Sequence, residues 1–202
     1  SRRELINAMA RLGVNKDYLK KRNRGLVLQL IATGKCTSRI ELAREVHLTK
    51  TAISAIVNEL IEQGYLREAA VTTKAKLGRT PVKLEISPEA PKYIGILFGR
   101  GCLEAAICDL NMNIIAYERV EREWSGGQEI MEVAYRLLDR LLEREEKIIA
   151  IGVATPGPVD VKKGRIINPG YFHGIQNLDV ADPIQKRYGI PVFLDHDVQS
   201  AA

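Results

Sequence analysis

The chain reads as two architectures in tandem: an α+β unit of short helices closed by a two-stranded hairpin, then an α/β lobe. Three observations predict this. Apolar residues recur at helical spacing up to about residue 63 and at strand spacing beyond about residue 90. Between the two rhythms lies Ser87-Pro88-Glu89-Ala90-Pro91, a proline-punctuated joint. Charge is also uneven: residues 1–90 hold 17 Lys+Arg against 9 Asp+Glu, net +8, and residues 91–202 hold 13 against 16, net −3. The domains are accordingly drawn as 1–88 and 89–202.

Residues 1–14 place Leu5, Ala8 and Leu12 on one side of a short helix. The basic segment KKRNRGLVLQLI runs into a second helix, with Val27, Leu30 and Ile31 facing inward. In SRIELAREVHLTKTAISAIVNELIEQ, Ser38 and Glu41 form a capping-box pairing in which hydroxyl and carboxylate satisfy free backbone N–H groups. A helix therefore begins at Ser38, with Leu42, Ala43 and Val46 on one face. His47 and Leu48 break its pattern, and Thr49 offers a second N-cap hydroxyl. In the helix that follows, Ile53, Ile56, Val57, Leu60 and Ile61 form an apolar stripe at i, i+3, i+4, i+7 and i+8. The opposite side shows Thr51, Ser54 and Asn58, with Lys50 near the amino end, and Thr49, Lys50, Thr51, Ser54 and Asn58 are the helix residues expected to meet DNA.

Residues 65–69 then read as a short strand. Val82, Leu84 and Ile86 alternate with Lys83 and Glu85 as its partner, and the joining loop carries Lys74, Lys76 and Arg79 with no acid. Helix, helix-turn-helix and basic-tipped hairpin together predict a winged helix-turn-helix over about Lys16 to Ile86. The polar helix face suits a DNA major groove, and the loop suits backbone or minor groove, with Arg79 the candidate for insertion. Striped helix pairs occur in any α-rich core, so the basic flank and the acid-free loop carry the argument for nucleic acid. Lys and Arg that neutralise phosphates release condensed counterions, and their excess lies in this half of the chain.

A composition of 46% apolar and 27% charged residues fits a soluble globular protein. No run of about 18 apolar residues exists to span a bilayer, and the first residues lack a secretory h-region. A cytoplasmic setting without a membrane partner is expected. Cys36, Cys102 and Cys108 are odd in number and scattered, without CxxC spacing or clustered histidines. Neither a disulfide framework nor a metal site follows from them.

Beyond the joint, residues 93–99 and 102–110 are apolar runs separated by Arg100-Gly101. Asn111-Met112-Asn113 turns the chain into a third strand over 114–120. A helix over 127–144 carries Ile130, Val133, Ala134, Leu137, Leu138 and Leu141 on one stripe. Residues 148–154 form a buried strand ended by TPGPVD, and an irregular stretch follows. Residues 183–188 suggest a helix, and residues 191–194 a last strand closing on Asp195-His196-Asp197. This β-β-β-α-β-α-β order is that of a ribonuclease H-like, or actin-like, nucleotide-binding lobe.

The layout resembles a repressor of the ROK family, which groups sugar-responsive transcriptional repressors with sugar kinases. The resemblance rests on NRGLVLQLI, SRIELAREVHLTKTAISAIVNELIEQGYL, GRTPVKLEI, GVATPGPVD and IPVFLDHDVQSAA, in that order. It implies operator DNA and a sugar effector as partners, and a homodimer or higher homo-oligomer. Kinase members have a first strand like GIDIGGT, whose Asp organises metal-bound phosphate; here the stretch is GILFGRG, with Leu97 at that place. Leucine can neither hold Mg²⁺ through water nor accept a hydrogen bond, so no catalytic residue is assigned.

By the same resemblance, Asp197 corresponds to the family's sugar-hydroxyl acceptor and His196 stands where Asn is usual. Gly157 and the Asn168-Pro169-Gly170 segment correspond to walls of the sugar pocket. The resemblance further implies a second lobe with a Glu-x-Gly-His sugar motif and a Cys-rich zinc site. Neither is present up to Ala202, so the lobe is expected to be incomplete, with no cofactor in this chain and structural zinc only beyond it. The leading expectation is a sugar-responsive transcriptional repressor; the alternatives are a ROK sugar kinase and a constitutive DNA-binding protein whose lobe only dimerises.

Overall fold

The computed structural model describes residues 16–70, 82–168, 170 and 175–196. The helix expected over 1–14 lies outside them. Contacts divide the chain into two compact units at Ala90/Pro91.

The first unit contains α1 (Lys16–Ala32), α2 (Arg39–Glu45), α3 (Lys50–Glu62), β1 (Leu66–Ala70) and β2 (Val82–Ile86). Val27, Leu30 and Ile31 of α1, Leu42 of α2, and Ile53, Ile56, Val57 and Leu60 of α3 are all buried, together with Cys36, Leu66 and Leu84. The capping box forms as the sequence requires: the Glu41 amide donates to Ser38 Oγ at 3.3 Å, and the Ser38 amide donates to the Glu41 carboxylate at 3.0 Å. The Thr37 amide donates to the same carboxylate at 2.7 Å. Thr49 caps α3 by accepting from the Ala52 amide at 3.2 Å. Between the helices the chain turns through His47 at φ 55°, a left-handed conformation usually left to Gly or Asn.

The hairpin is antiparallel, with Leu66 opposite Ile86 and Ala70 opposite Val82. Its alternation holds for Leu84 and Ile86, but Val82, paired with Ala70 at the end of the hairpin, is 43% exposed. Ile61 likewise is only half-buried. The Leu84 amide donates to the Thr37 carbonyl at 2.7 Å, which ties the hairpin to the start of α2.

The second unit contains β3 (Lys92–Gly99), β4 (Cys102–Cys108), β5 (Ile114–Glu121), α4 (Gly127–Leu142), β6 (Ile148–Thr155), α5 (Ala181–Tyr188) and β10 (Val192–His196). Three two-residue strands lie between β6 and α5: β7 (Val159–Asp160), β8 (Arg165–Ile166) and β9 (Leu178–Asp179). The main sheet runs β10-β6-β3-β4-β5; β3, β6 and β10 are parallel, and β4 and β5 are antiparallel additions. Ile94, Ile96 and Phe98 of β3 and Leu103, Ala105 and Ile107 of β4 point to one face. There they meet the α4 stripe of Ile130, Val133, Ala134, Leu137, Leu138 and Leu141, all buried. Ile184 of α5 joins the same core.

Several limits read from the sequence move. β4 stops at Cys108 because Asp109 binds the Asn113 amide and side chain at 2.8 and 2.9 Å and starts the turn there. α4 stops at Leu142, since residues 143–147 are EREEK and have nothing to bury. α5 begins two residues early at Ala181, and β10 continues through Asp195 and His196. The stretch expected to be irregular is the small β7-β8-β9 sheet, clamped by Arg165 on Asp179 at 2.5 and 3.0 Å.

Three substitutions test these local contacts. His47→Gly relieves the left-handed strain and raises stability by about 0.5–1 kcal/mol, read as a higher Tm. Ser38→Ala costs about 1 kcal/mol. The Glu41 carboxyl is held below its ordinary pKa, first by the Thr37 amide and against a smaller burial effect, then by the Ser38 hydroxyl and amide. Its folded pKa lies below its unfolded one, so its contribution is full above about pH 4.3 and is lost as pH falls through the depressed value. Acid titration of Glu41→Gln lacks that loss.

Candidate nucleic-acid interface and ligand cleft

In the first unit, the α3 residues that the sequence selects lie on one side. Thr49, Lys50, Thr51 and Asn58 are exposed and Ser54 is half-buried, opposite the fully buried Ile53 and Val57. Thr51, Ser54 and Asn58 follow i, i+3, i+7 spacing, which puts them in one row along the helix. The Thr49 hydroxyl is engaged as the N-cap, so its oxygen serves the helix first. Glu59, the acid next to Asn58, is bound by Lys20 at 3.4 Å and by Arg24, both from α1. Those pairs offset the Glu59 charge. Lys74, Lys76 and Arg79 fall outside the described residues.

One residue on this surface was not anticipated. Arg39, in the first turn of α2, donates through Nη2 to Asn58 Oδ1 at 2.9 Å and through Nη1 to the Glu68 carboxylate of β1. The sequence shows that Arg39 follows a helix N-cap. That it reaches residues 19 and 29 positions later is a product of packing, and no local pattern announces it.

In the second unit, the sheet face opposite α4 carries Gly95 and Leu97 of β3, Glu104 and Ala106 of β4, Tyr117 of β5, Gly152 and Ala154 of β6, and Phe193 and Asp195 of β10. These residues line a cavity of about 470 Å³. Phe193 is 66% exposed there. Leu97 pairs with Glu104 on one side and Ala154 on the other, near the carboxyl ends of the parallel strands. The Tyr117 hydroxyl donates to Glu104 at 2.9 Å, and Arg119 pairs with the same carboxylate at 3.1 Å. A second cavity, about 340 Å³, is lined by Lys162, Lys163, Gly164, Ala181 and Asp182 and shares Phe193 and Asp195 with the first.

Of the residues matched to a sugar pocket, His196 and the segments holding Gly157 and Asn168 are linked by backbone pairing at one end of this sheet. His196 ends β10 opposite Thr155, the last residue of β6 and two before Gly157. The Ile167 amide donates to the Pro158 carbonyl at 3.0 Å, which brings the segment entering Asn168 beside the loop holding Gly157. Asn168 and Gly170 are exposed, and a Cβ on Gly170 would meet nothing within 4 Å, so no neighbour in the described structure demands glycine there. Asp197 lies outside the described residues. The Cys102 and Cys108 thiols are pushed up from their ordinary pKa, chiefly by burial, which keeps them protonated.

Comparison with known proteins bears on both units. A profile of the ROK family matches residues 93–202, and a winged helix-turn-helix DNA-binding profile matches residues 21–67. The DNA-binding transcriptional repressor Mlc of Escherichia coli (strain K12) is 24% identical over 188 residues, covering 91% of this chain and 46% of that protein. The xylose repressor of Caldicellulosiruptor bescii is 28% identical over 193 residues, 93% of this chain and 48% of that protein. The DNA-binding transcriptional dual regulator NagC of Escherichia coli (strain K12) is 26% identical, with 93% and 47% covered. The chain spans about half the length of the curated relatives it matches. Among solved structures, a ROK family transcriptional regulator described as a homolog of the E. coli MLC protein aligns with a TM-score of 0.71 at 23% identity, over 90% of this chain and 47% of that one. That likeness shows the fold.

Gly164 offers a direct check on the smaller cavity. It sits at φ +63°, and an added Cβ would lie 2.3 Å from the Ala181 Cβ at the start of α5. Gly164→Ala is expected to cost about 1–3 kcal/mol, read by thermal unfolding, with the Val161–Gly164 turn displaced.

Proposed function

This chain belongs to the ROK family, and from that premise we propose that it is a DNA-binding transcriptional regulator, a repressor of carbohydrate-utilisation genes whose operator binding responds to a sugar. The observation that carries the proposal is the two-sidedness of α3. Its apolar stripe is consumed by the core, and the exposed Lys50, Thr51 and Asn58, with the half-buried Ser54 among them, remain as a polar row on a helix of the size a major groove admits. Residues 1–90 supply the positive charge that phosphate contacts need. Lys74, Lys76 and Arg79 are assigned to DNA contact by their sequence alone, and a homodimer would present two such heads to a pseudo-palindromic operator in the cytoplasm.

The second unit then acts as the sensor. Gly157, Asn168, Gly170, His196 and Asp197 form the part of the sugar cleft that this chain contributes, and differential binding of the sugar to two arrangements of the dimer couples cleft to operator. Catalysis is disfavoured by Leu97. An aliphatic side chain at that strand position can neither bind metal-held water nor orient phosphate, so the lobe binds sugar without phosphorylating it.

In the full-length protein, Lys50→Ala and Ser54→Ala are each expected to weaken binding to a selected operator about tenfold, and Lys50→Ala to reduce the salt slope by about one. Unaltered isotherms across a salt titration would remove α3 from the interface. A panel of hexoses, pentoses and acetylated amino sugars should contain one that shifts both the Tm and the operator affinity, with no ATP turnover. Steady sugar-dependent ADP production would instead establish a kinase.

A further inference from the structure

Taking α3 as the helix that faces base edges, we infer that Asn58 acts on DNA as a hydrogen-bond donor alone. Arg39 holds its acceptor, so the base it reads is one with an acceptor edge, guanine ahead of thymine, and not adenine. Oxygen and nitrogen of an Asn side chain are told apart by their partners. A guanidinium has five N–H donors and no acceptor, so the atom it meets at 2.9 Å must be Oδ1.

Nδ2, with two donors, is the part of the carboxamide left for a base. Asn usually reads adenine bidentately, accepting from N6 while donating to N7. Here N6–H would have to approach an oxygen that already accepts from a cation, whose charge repels a second donor. The N4–H₂ group of cytosine meets the same obstacle. Guanine presents two adjacent acceptors, N7 and O6, to the Nδ2–H₂ group, and thymine presents O4 alone.

The arrangement is fixed at three points. Arg39 starts at the capped first turn of α2, its Nη1 is anchored on Glu68 of β1, and its Nη2 meets Asn58 in the third turn of α3. The Arg39 side chain is 29% exposed, partly withdrawn from the surface, and Asn58 is exposed. Arg39 is therefore a positioning residue: it sets the polarity of Asn58 and acts on specificity through it.

The test is selection by the full-length protein from a pool of randomised duplex DNA, sequenced for the wild type and for Asn58→Ala, Asn58→Asp and Arg39→Ala. Asn58→Ala should relax one position in each half-site, and there the wild type should select guanine or thymine. Arg39→Ala should raise adenine against guanine at that position about tenfold, leaving other positions unchanged. Asn58→Asp keeps the bond to Arg39 and the shape of the side chain but has no donor, so the position should move to cytosine. This variant decides the matter even if Arg39→Ala does not fold.

Wild-type selection of adenine at that position overturns the inference. So does an Arg39→Ala protein whose affinity falls with base frequencies unchanged, or an Asn58→Asp protein that still selects guanine. An enriched motif that Asn58→Ala leaves intact removes this inference alone. A pool from which nothing is enriched removes the DNA-binding reading beneath it.

Discussion

The burial of Ile53, Ile56, Val57 and Leu60 fixes the rotation of the helix Lys50–Glu62 about its own axis, and what the first unit can do depends on that rotation. These side chains are 0%, 8%, 0% and 2% exposed. A helix advances about 100° per residue, so turning it enough to hide Ser54 and Asn58 would drag at least two of the four into water. Each such exposure costs about 1.5–3 kcal/mol, a large part of the 5–15 kcal/mol that a typical domain has in reserve. The polar row faces outward because the apolar row has no alternative.

The second unit obeys the same rule on one face only. Strands β3 and β4 alternate so that Ile94, Ile96, Phe98, Leu103, Ala105 and Ile107 reach the α4 stripe, and the intervening Gly95, Leu97, Glu104 and Ala106 must then face the other way. That second face is low in relief, with glycine and alanine on neighbouring strands, and it is where the larger cavity forms. The identity of residue 97 therefore matters chemically, because alternation sends its side chain to the open face and not to the core.

Much of this was legible in the sequence, and the legible parts are local. A capping box, a Thr N-cap and two helical stripes are written within a few residues of the contacts they make, so α2, α3 and α4 could be placed along with the side each buries. What escaped was short or distant. The strands β7, β8 and β9 have two residues each, too few for any period to register, and they are held by Arg165 and Asp179, 14 residues apart. Val82 fits an alternation that its position at the end of the hairpin does not honour. The candidate site shows the same division. Lys50, Thr51, Ser54 and Asn58 follow from periodicity, whereas the bridge from Arg39 to Asn58 and Glu68 exists only after three elements have packed. The residues grouped around Gly157 and His196 were chosen by resemblance, and their neighbourhood at one sheet end depends on parallel pairing of β6 with β10 that no single segment encodes.

Thr37 has a consequence for how the first unit meets a partner. Its carbonyl receives the Leu84 amide of β2, while its own amide closes on Glu41 in the first turn of α2. Arg39, two residues on, reaches both β1 and α3. The hairpin strands and the helix pair are thereby seamed together at a single short stretch of backbone, like two tines forged from one shank. A surface set in this way loses little configurational freedom when it docks, and the free energy of its contacts goes into affinity and discrimination rather than into assembling the surface.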